Sequence, residues 1–107
     1  MDFELARNKV KKIKFDELRF DEKNKFEAVV SKKELNRLND LLISLFGPSL
    51  YPSKSKLSAQ VLGNIEAFGG IIPGQTLFYA NQDKAIIFAM LWPWRDGQSI
   101  TIKIIRI

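Results

Sequence analysis

The chain has 107 residues and a mass of 12.3 kDa, which predicts one domain, and its hydrophobic share of 46% is enough for a packed core. It contains neither histidine nor cysteine. Disulfides, thiol nucleophiles, the usual zinc ligands and the commonest general base are therefore excluded, and we expect no cofactor and no metal. The N-terminus, Met-Asp-Phe-Glu-Leu, lacks the apolar core of a signal peptide, so we expect a cytoplasmic protein with no membrane partner.

The positive charge is distributed unevenly along the chain. The formal net charge is +5 and the pI about 9.6, which permits an anionic partner without requiring one. Residues 1–56 carry thirteen Lys/Arg and nine Asp/Glu, whereas residues 57–107 carry four and three. We therefore expect a charged N-terminal half and a C-terminal half that is mostly core.

Residues 2–12 fit a short helix. Phe3, Ala6, Val10 and Ile13 recur at helical spacing, and Asp2 is placed to cap the first turn. A flexible basic arm over residues 1–12 is the alternative interpretation.

The next segment predicts a β-hairpin. Apolar and charged side chains alternate from Ile13 to Phe20, and the break in that alternation at Asp16-Glu17 indicates a bulge. A polar turn then leads into a second strand, Lys25 to Val30. A helix through residues 15–27 is the competing interpretation.

Ser31–Phe46 predicts a helix. Ser31 and Glu34 match the capping box, in which the serine oxygen and the glutamate each accept from an unpaired backbone amide. Gly47-Pro48 ends this helix, because glycine adopts the left-handed conformation easily and proline cannot continue the helix. The apolar stripe after the cap consists of Leu35, Leu38, Leu42, Leu45 and Phe46.

A second, weaker helix begins at Ser55 or Ser58 and ends at Gly69-Gly70. Gly63 lies inside it and lowers its stability by about 1 kcal/mol relative to alanine. Its apolar face consists of Val61, Leu62, Ile65 and Phe68.

Three strands complete the chain. The first, Gln75–Ala80, follows a Pro73-Gly74 turn, and the last, Ser99–Ile107, follows Asp96-Gly97, a favoured pair for tight hairpins. Between them, Lys84–Trp94 contains a continuous apolar run bounded by turn residues, which indicates a buried strand.

The elements together predict an α+β domain of order (α)ββααβββ. In it, an N-terminal hairpin and a C-terminal three-stranded meander form one antiparallel sheet, and the two central helices pack on one face. The strand 84–94 is apolar on both sides, so its second face needs a cover. The N-terminal segment is one candidate for that cover and a second subunit is the other, which predicts a homodimer.

The most unusual group is Trp92-Pro93-Trp94-Arg95. In a functional interpretation, exposed tryptophan beside arginine stacks on bases or contacts a protein partner. In a structural interpretation, Trp92 belongs to the core and Trp94 closes the end of the sheet, with Pro93 at the end of the strand.

The basic residues of the N-terminal half allow two interpretations. They either contact phosphates or form an ordinary solvated face, because acids are interleaved with them. The set consists of Lys9, Lys11, Lys12, Lys14, Lys32, Lys33, Arg37, Lys54 and Lys56.

A third set lies on the C-terminal meander: Tyr79, Lys84, Arg95, Lys103 and Arg106. Toxin ribonucleases of the RelE/ParE type also place Lys, Arg and Tyr on an antiparallel sheet after two helices. This chain is similar to them in element order alone, and its N-terminal hairpin is not part of their pattern. The resemblance implies RNA cleavage by cationic stabilisation of the phosphorane, which requires no histidine.

We interpret the chain first as a non-enzymatic binding domain that contacts a macromolecular partner, protein or nucleic acid, through its surface. A nucleic-acid-directed protein, either a binder or a ribonuclease, is the second hypothesis. An immunity or inhibitor protein is the third, and it would need an acidic target.

The glycine-containing turns do not predict a phosphate-binding loop, because the Gly-Lys-Ser/Thr ending of such a loop is absent after Gly69-Gly70 and after Pro73-Gly74.

Overall fold

The chain forms an α+β fold in a computed structural model that describes residues 1–53, 55–82 and 85–107, apart from the side chain of Gln82. Asp83, one of the turn residues expected before the strand 84–94, lies outside the described residues, as do the candidate residues Lys54 and Lys84. The helices are α1 (Phe3–Val10), α2 (Leu35–Phe46) and α3 (Ala59–Glu66), with a 3₁₀ turn at Lys32–Glu34. The strands are β1 (Glu17–Asp21), β2 (Lys25–Ser31), β3 (Thr76–Gln82), β4 (Ala85–Pro93) and β5 (Ser99–Arg106).

All five strands form one antiparallel sheet of order β1-β2-β5-β4-β3. The hairpin and the meander join where β2 pairs with β5, so that Phe26 lies opposite Ile104 and Ala28 opposite Ile102. This arrangement confirms the predicted fold class and element order.

Helices α1 and α2 cover one face of the sheet, the α1/α2 face. Phe3, Ala6, Val10 and Ile13 are all buried there, which confirms the helix rather than the flexible arm. The carboxylate of Asp2 caps α1 by accepting from the Leu5 amide at 2.8 Å. From α2, Leu38 and Leu42 are fully buried against strand residues on this face, namely Phe26, Ala28, Val30, Ile87, Ala89, Leu91, Ile100, Ile102 and Ile104.

Helix α3 covers part of the opposite face, the α3 face, through Val61 and Ile65. The structure differs here from the prediction that both central helices share one face. The loop between α2 and α3 explains the difference, because it runs along the outer edge of β3. There the Leu50 amide donates to the Leu77 carbonyl at 2.7 Å and the Leu77 amide to the Tyr51 carbonyl at 2.9 Å. The loop thereby carries the chain from one face to the other.

The coverage of β4 bears on the predicted homodimer. Ile87, Ala89 and Leu91 face α1 and α2, whereas Phe88 and Met90 face α3. Helices of the same chain therefore cover these residues on both sides of β4. The homodimer stays a prediction, but the need to cover the second face of this strand no longer supports it.

The N-terminal hairpin begins later than its alternation predicts. Ile13 and Phe15 are not in a strand and instead pack into the α1/α2 core from the segment that follows α1. The register irregularity lies between Leu18 and Phe20, not at Asp16-Glu17.

The start of α2 also differs from its prediction. Ser31 ends β2, and its hydroxyl accepts from the Lys33 amide at 3.3 Å within the 3₁₀ turn. The α-helix proper starts at Leu35, and Glu34 forms no side-chain capping hydrogen bond. Ser31 ends β2 opposite Ser99, and the 3₁₀ turn at Lys32–Glu34 separates it from α2. Ser31 is therefore not the N-cap of the α-helix, and the reciprocal half of the capping box is absent.

The other local predictions hold in part. α3 ends at Glu66 rather than at Gly69-Gly70, and β3 runs on to Gln82, two residues beyond its predicted end at Ala80. Gly47, Gly74 and Gly97 have positive φ at the predicted helix end and turns. Ser58, rather than Ser55, caps α3 by accepting from the Val61 amide at 3.2 Å. Across the described ranges, no helix combines the length and apolarity needed to cross a membrane.

Candidate functional site

The part of the α3 face that α3 leaves uncovered carries an unusual side-chain layer. Paired residues of antiparallel strands point to the same side of a sheet. The register aligns Met90, Lys103, Glu27 and Phe20 in one row across the sheet. The next row contains Trp92, Thr101, Val29 and Glu17. Strands β4, β5, β2 and β1 therefore bring aromatic and charged side chains to one side, next to the apolar region under α3.

Glu27 is the buried acid of this layer. Its side chain is 8% exposed, and Lys103 Nζ and an Arg19 guanidinium nitrogen lie 3.7 and 3.6 Å from its carboxylate oxygens. A carboxylate is buried in an apolar sheet only where cations compensate its lost hydration. Two cations from strands on either side of β2 provide that compensation.

Lys103 is held by three kinds of contact. Its Nζ lies 3.7 Å from the centroid of the Trp92 ring and donates to the Phe68 carbonyl at 3.3 Å, in addition to the ion pair with Glu27. Burial lowers the pKa of Lys103 below the ordinary lysine value, and the Glu27 carboxylate opposes that shift. Lys103 is thus oriented inward, as part of the support of the surface.

Trp92 is half-buried and packs against the end of α3. A Cβ atom built at Gly69, which has a φ of +106°, would lie 2.4 Å from the indole Cη2, so this approach requires glycine. The Trp92 Nε1 is buried and has no hydrogen-bond partner within the described part of the chain.

Trp94 is the exposed aromatic residue of the pair. Its ring is fixed by a hydrogen bond from Nε1 to Thr101 Oγ1 at 2.8 Å, and 39% of the residue is exposed. The Arg19 guanidinium lies 5.6 Å from its ring centroid. The cation beside Trp94 is therefore Arg19 of β1, whereas Arg95 is exposed in the β4–β5 turn.

A third cation–aromatic pair extends the layer to the sheet edge. Lys25 Nζ lies 4.0 Å from the centroid of the exposed Phe20 ring. We call the whole group the aromatic–cationic surface, which consists of Arg19, Phe20, Lys25, Glu27, Trp92, Trp94, Thr101 and Lys103.

Three of the predicted site residues, Trp92, Trp94 and Lys103, belong to this surface. Tyr79 faces the same side but lies under α3, where its hydroxyl accepts from Asn64 Nδ2 at 2.7 Å and its ring stacks on Phe88. Lys84 lies outside the described residues.

The other two meander candidates are far apart. Arg95 follows the Pro93↔Ile100 end of the β4–β5 pair, whereas Arg106 pairs with Ile87 at the opposite end. Six residue steps of a strand span about 20 Å. Arg106 instead donates to Asn24 Oδ1 at 3.3 Å. The structure therefore does not bring together the meander residues on which the toxin resemblance depends.

The N-terminal candidates are exposed and lie away from the aromatic–cationic surface. Lys32 and Lys33 belong to the 3₁₀ turn and Arg37 to α2, which packs on the α1/α2 face. Among the described residues, no group of three or more acids is arranged to hold a metal ion.

Sequence reasoning missed Arg19, Phe20, Lys25, Glu27 and Thr101 as members of the site. One signal was present: Glu27 lies between apolar neighbours in a strand, and a buried acid requires cationic partners. Its partners were not identifiable, because the pairing of β2 with β5 brings together residues far apart in the chain.

No family model matches this sequence, and the searches of curated proteins and of solved structures find no match either.

Proposed function

We propose that this protein is a non-catalytic binding domain that contacts another protein through the aromatic–cationic surface. The observation that carries the proposal is the pairing of the exposed Trp94 ring with the Arg19 guanidinium, 5.6 Å from the ring centroid. Tryptophan and arginine are the side chains most enriched at the energetic centres of protein interfaces.

Rigidity of the surface supports the proposal. Glu27, Thr101 and the Phe68 carbonyl hold Arg19, Trp94 and Lys103 in place. Side chains already fixed in one rotamer lose less conformational entropy on binding, which raises affinity for a complementary partner.

The edge strand β1 adds a second feature that suits a protein partner. All five of its residues are exposed, and β2 pairs with only one of its edges. An unpaired strand edge offers backbone donors and acceptors to an added strand. We also propose a cytoplasmic location, which a cysteine-free sequence supports.

The geometry supports the ribonuclease hypothesis less well. Cationic stabilisation of a phosphorane requires Lys and Arg groups that converge on one phosphate. Arg95 and Arg106 lie at opposite ends of the β4–β5 pair, and Lys103 is turned toward Glu27 and Trp92.

The test is affinity capture with three forms of the protein: wild type, the Arg19→Ala/Trp94→Ala double variant and the Leu62→Ala control. Leu62 is exposed on α3, so the control variant removes an exposed apolar side chain outside the aromatic–cationic surface. We expect a partner that wild type and control retain and the double variant loses. Capture of the same proteins by all three forms would contradict the proposal.

A direct measurement completes the test. Trp92 and Trp94 are the only tryptophans of the chain, so intrinsic fluorescence reports on this surface alone. Titration with the purified, tryptophan-free part of the partner should shift the emission and reduce quenching by acrylamide. Binding without any change in emission would place the contact elsewhere.

A further inference from the structure

A second surface, on the opposite side of the sheet, has the charge of an anion-binding site. A groove between α1 and α2, the α1–α2 basic groove, is lined by Lys9, Lys12, Ile13, Arg37 and Leu41. Ile13 and Leu41 pack into the core of the α1/α2 face, while the three cations are exposed. The groove therefore has an apolar floor and cationic walls, and none of the described residues that line it is an acid.

The helix geometry sorts the cations of this region into two sets. Arg7 and Lys11 are one helical turn apart and point toward β1, where Asp21 lies 3.4 and 2.6 Å from them. Lys9 and Lys12 lie three residues apart on another side of the same turn, beside α2. The interleaved acids thus neutralise Arg7 and Lys11.

The groove cations have no such neutralisation. Lys9, Lys12 and Arg37 form no salt bridge with any residue in the described ranges. The C-terminal end of α1 carries a partial charge of about −0.5, which offsets only a fraction of three positive charges. Two acids lie three residues from Arg37 along the chain, Glu34 at the start of α2 and Asp40 within it, and neither forms a salt bridge within the described ranges.

We propose that the α1–α2 basic groove binds the phosphate backbone of a nucleic acid. Like charges held together in a groove raise the local positive potential, which a polyanion relieves on binding. Lysines act as point charges toward phosphate, and arginine adds a bidentate fork. The net charge of +5 on the whole chain favours the same partner.

The three cations come from two segments that face each other across the groove. Lys9 and Lys12 lie at and just after the C-terminal end of α1, and Arg37 lies on α2. Lys33, in the 3₁₀ turn before α2, is not part of this set, because it lines a neighbouring concavity together with Asp16 and Glu34. Cations on both walls of a groove fit successive phosphates of one chain better than a single small anion. Because the groove lies on the other side of the sheet from Trp94, it serves a different partner from that of the aromatic–cationic surface.

The experiment measures binding of a fluorescein-labelled, mixed-sequence single-stranded RNA, and of the same sequence as DNA, over a series of salt concentrations. Three phosphate contacts predict a slope of log K against log salt of about −2 for a single strand. Lys9→Ala, Lys12→Ala and Arg37→Ala should each weaken binding and reduce the slope by about 0.7. Asp40→Asn should strengthen binding, because it removes a negative charge beside Arg37.

Lys23→Ala and Lys56→Ala are the matched controls, since each removes one exposed lysine outside the groove. We expect them to retain the wild-type slope and nearly the wild-type affinity, and Trp94→Ala to do the same. Equal losses in controls and groove variants would overturn the proposal, as would absence of binding at low salt. Binding of polyglutamate of equal charge as tightly as the oligonucleotides would also overturn it, in favour of an acidic polypeptide. All variants change exposed residues, and thermal unfolding verifies that each is folded.

Discussion

Glu27 holds together cations that come from both sides of its strand. Its carboxylate lies 3.7 Å from Lys103 of β5 and 3.6 Å from Arg19 of β1. Each of those cations also lies over a tryptophan ring. A change at Glu27 therefore acts on both tryptophans through their cations.

The titration of Lys103 measures this dependence. Burial has the largest influence and lowers the pKa of Lys103. The Glu27 carboxylate has the second largest influence and raises that pKa. We expect Lys103 to titrate below the ordinary lysine value in an NMR titration of its side-chain Cε resonance. Glu27→Gln removes the opposing influence and should lower the pKa of Lys103 further. An unchanged or raised pKa in that variant would contradict the assigned contact.

The same shift fixes the pH dependence of folding stability. Because the folded-state pKa of Lys103 is lowered, the unfolded chain binds more protons between the folded pKa and the ordinary lysine value. The contribution of Lys103 to stability therefore rises with pH through that window and is lost as pH falls through the folded pKa. Wild type should gain stability relative to Lys103→Met as the pH rises through this range in urea unfolding.

At the scale of elements, the junction of α3 with β4 depends on a close approach. The helix ends at Glu66, and three residues later Gly69 takes a φ of +106° against the edge of Trp92. The chain thereby brings the Phe68 carbonyl to Lys103. The apolar cover and the charged layer of the α3 face meet at this loop.

Two glycine substitutions test that junction. Gly69→Ala places a Cβ 2.4 Å from the Trp92 ring at a positive φ, and we expect a loss of about 1–3 kcal/mol in the free energy of unfolding. Gly63→Ala is the control inside α3, where a Cβ meets no atom within 4 Å, and it should gain about 0.5–1 kcal/mol. Denaturant unfolding of the two variants measures both changes. Similar effects at the two positions would show that the Trp92 contact does not constrain the loop.

Elements with a complete local signal were predictable. The stripe of α1, the Asp2 cap and the Gly47 helix end depend on residues a few positions apart, and all were found as expected. Where a tertiary contact competes with the local signal, prediction was wrong: Ser31 fits a capping box but is also the last residue of β2.

The candidate site was predictable only in part, for a related reason. Trp92 and Trp94 stand out in the sequence, and Lys103 lies on a strand whose alternation is clear. Their partners Glu27 and Arg19 depend on strand order and register, which local patterns do not encode. The division of α2 and α3 between two faces likewise depends on the path of a loop along β3.

At the scale of the whole molecule, the dimensions are those of a compact single chain. The accessible surface is 6554 Å², against about 6,100 Å² expected for a monomeric protein of this mass. The radius of gyration is 12.8 Å, against about 13 Å for a compact chain of this length. The large exposed apolar residues are distributed over many elements, and include Leu5, Leu18, Ile43, Leu62 and Ile72.

This distribution leads to a prediction about the oligomeric state. A stable dimer buries about 800 Å² per partner in a contiguous patch, and both faces of β4 are already covered within the chain. We therefore expect the mass of a single chain, 12.3 kDa, in light scattering of dilute solutions. A mass twice as large would restore the homodimer. Phe20→Ser would then locate its interface: dissociation of the dimer would place it at the exposed edge of β1, next to the aromatic–cationic surface, and persistence would place it elsewhere.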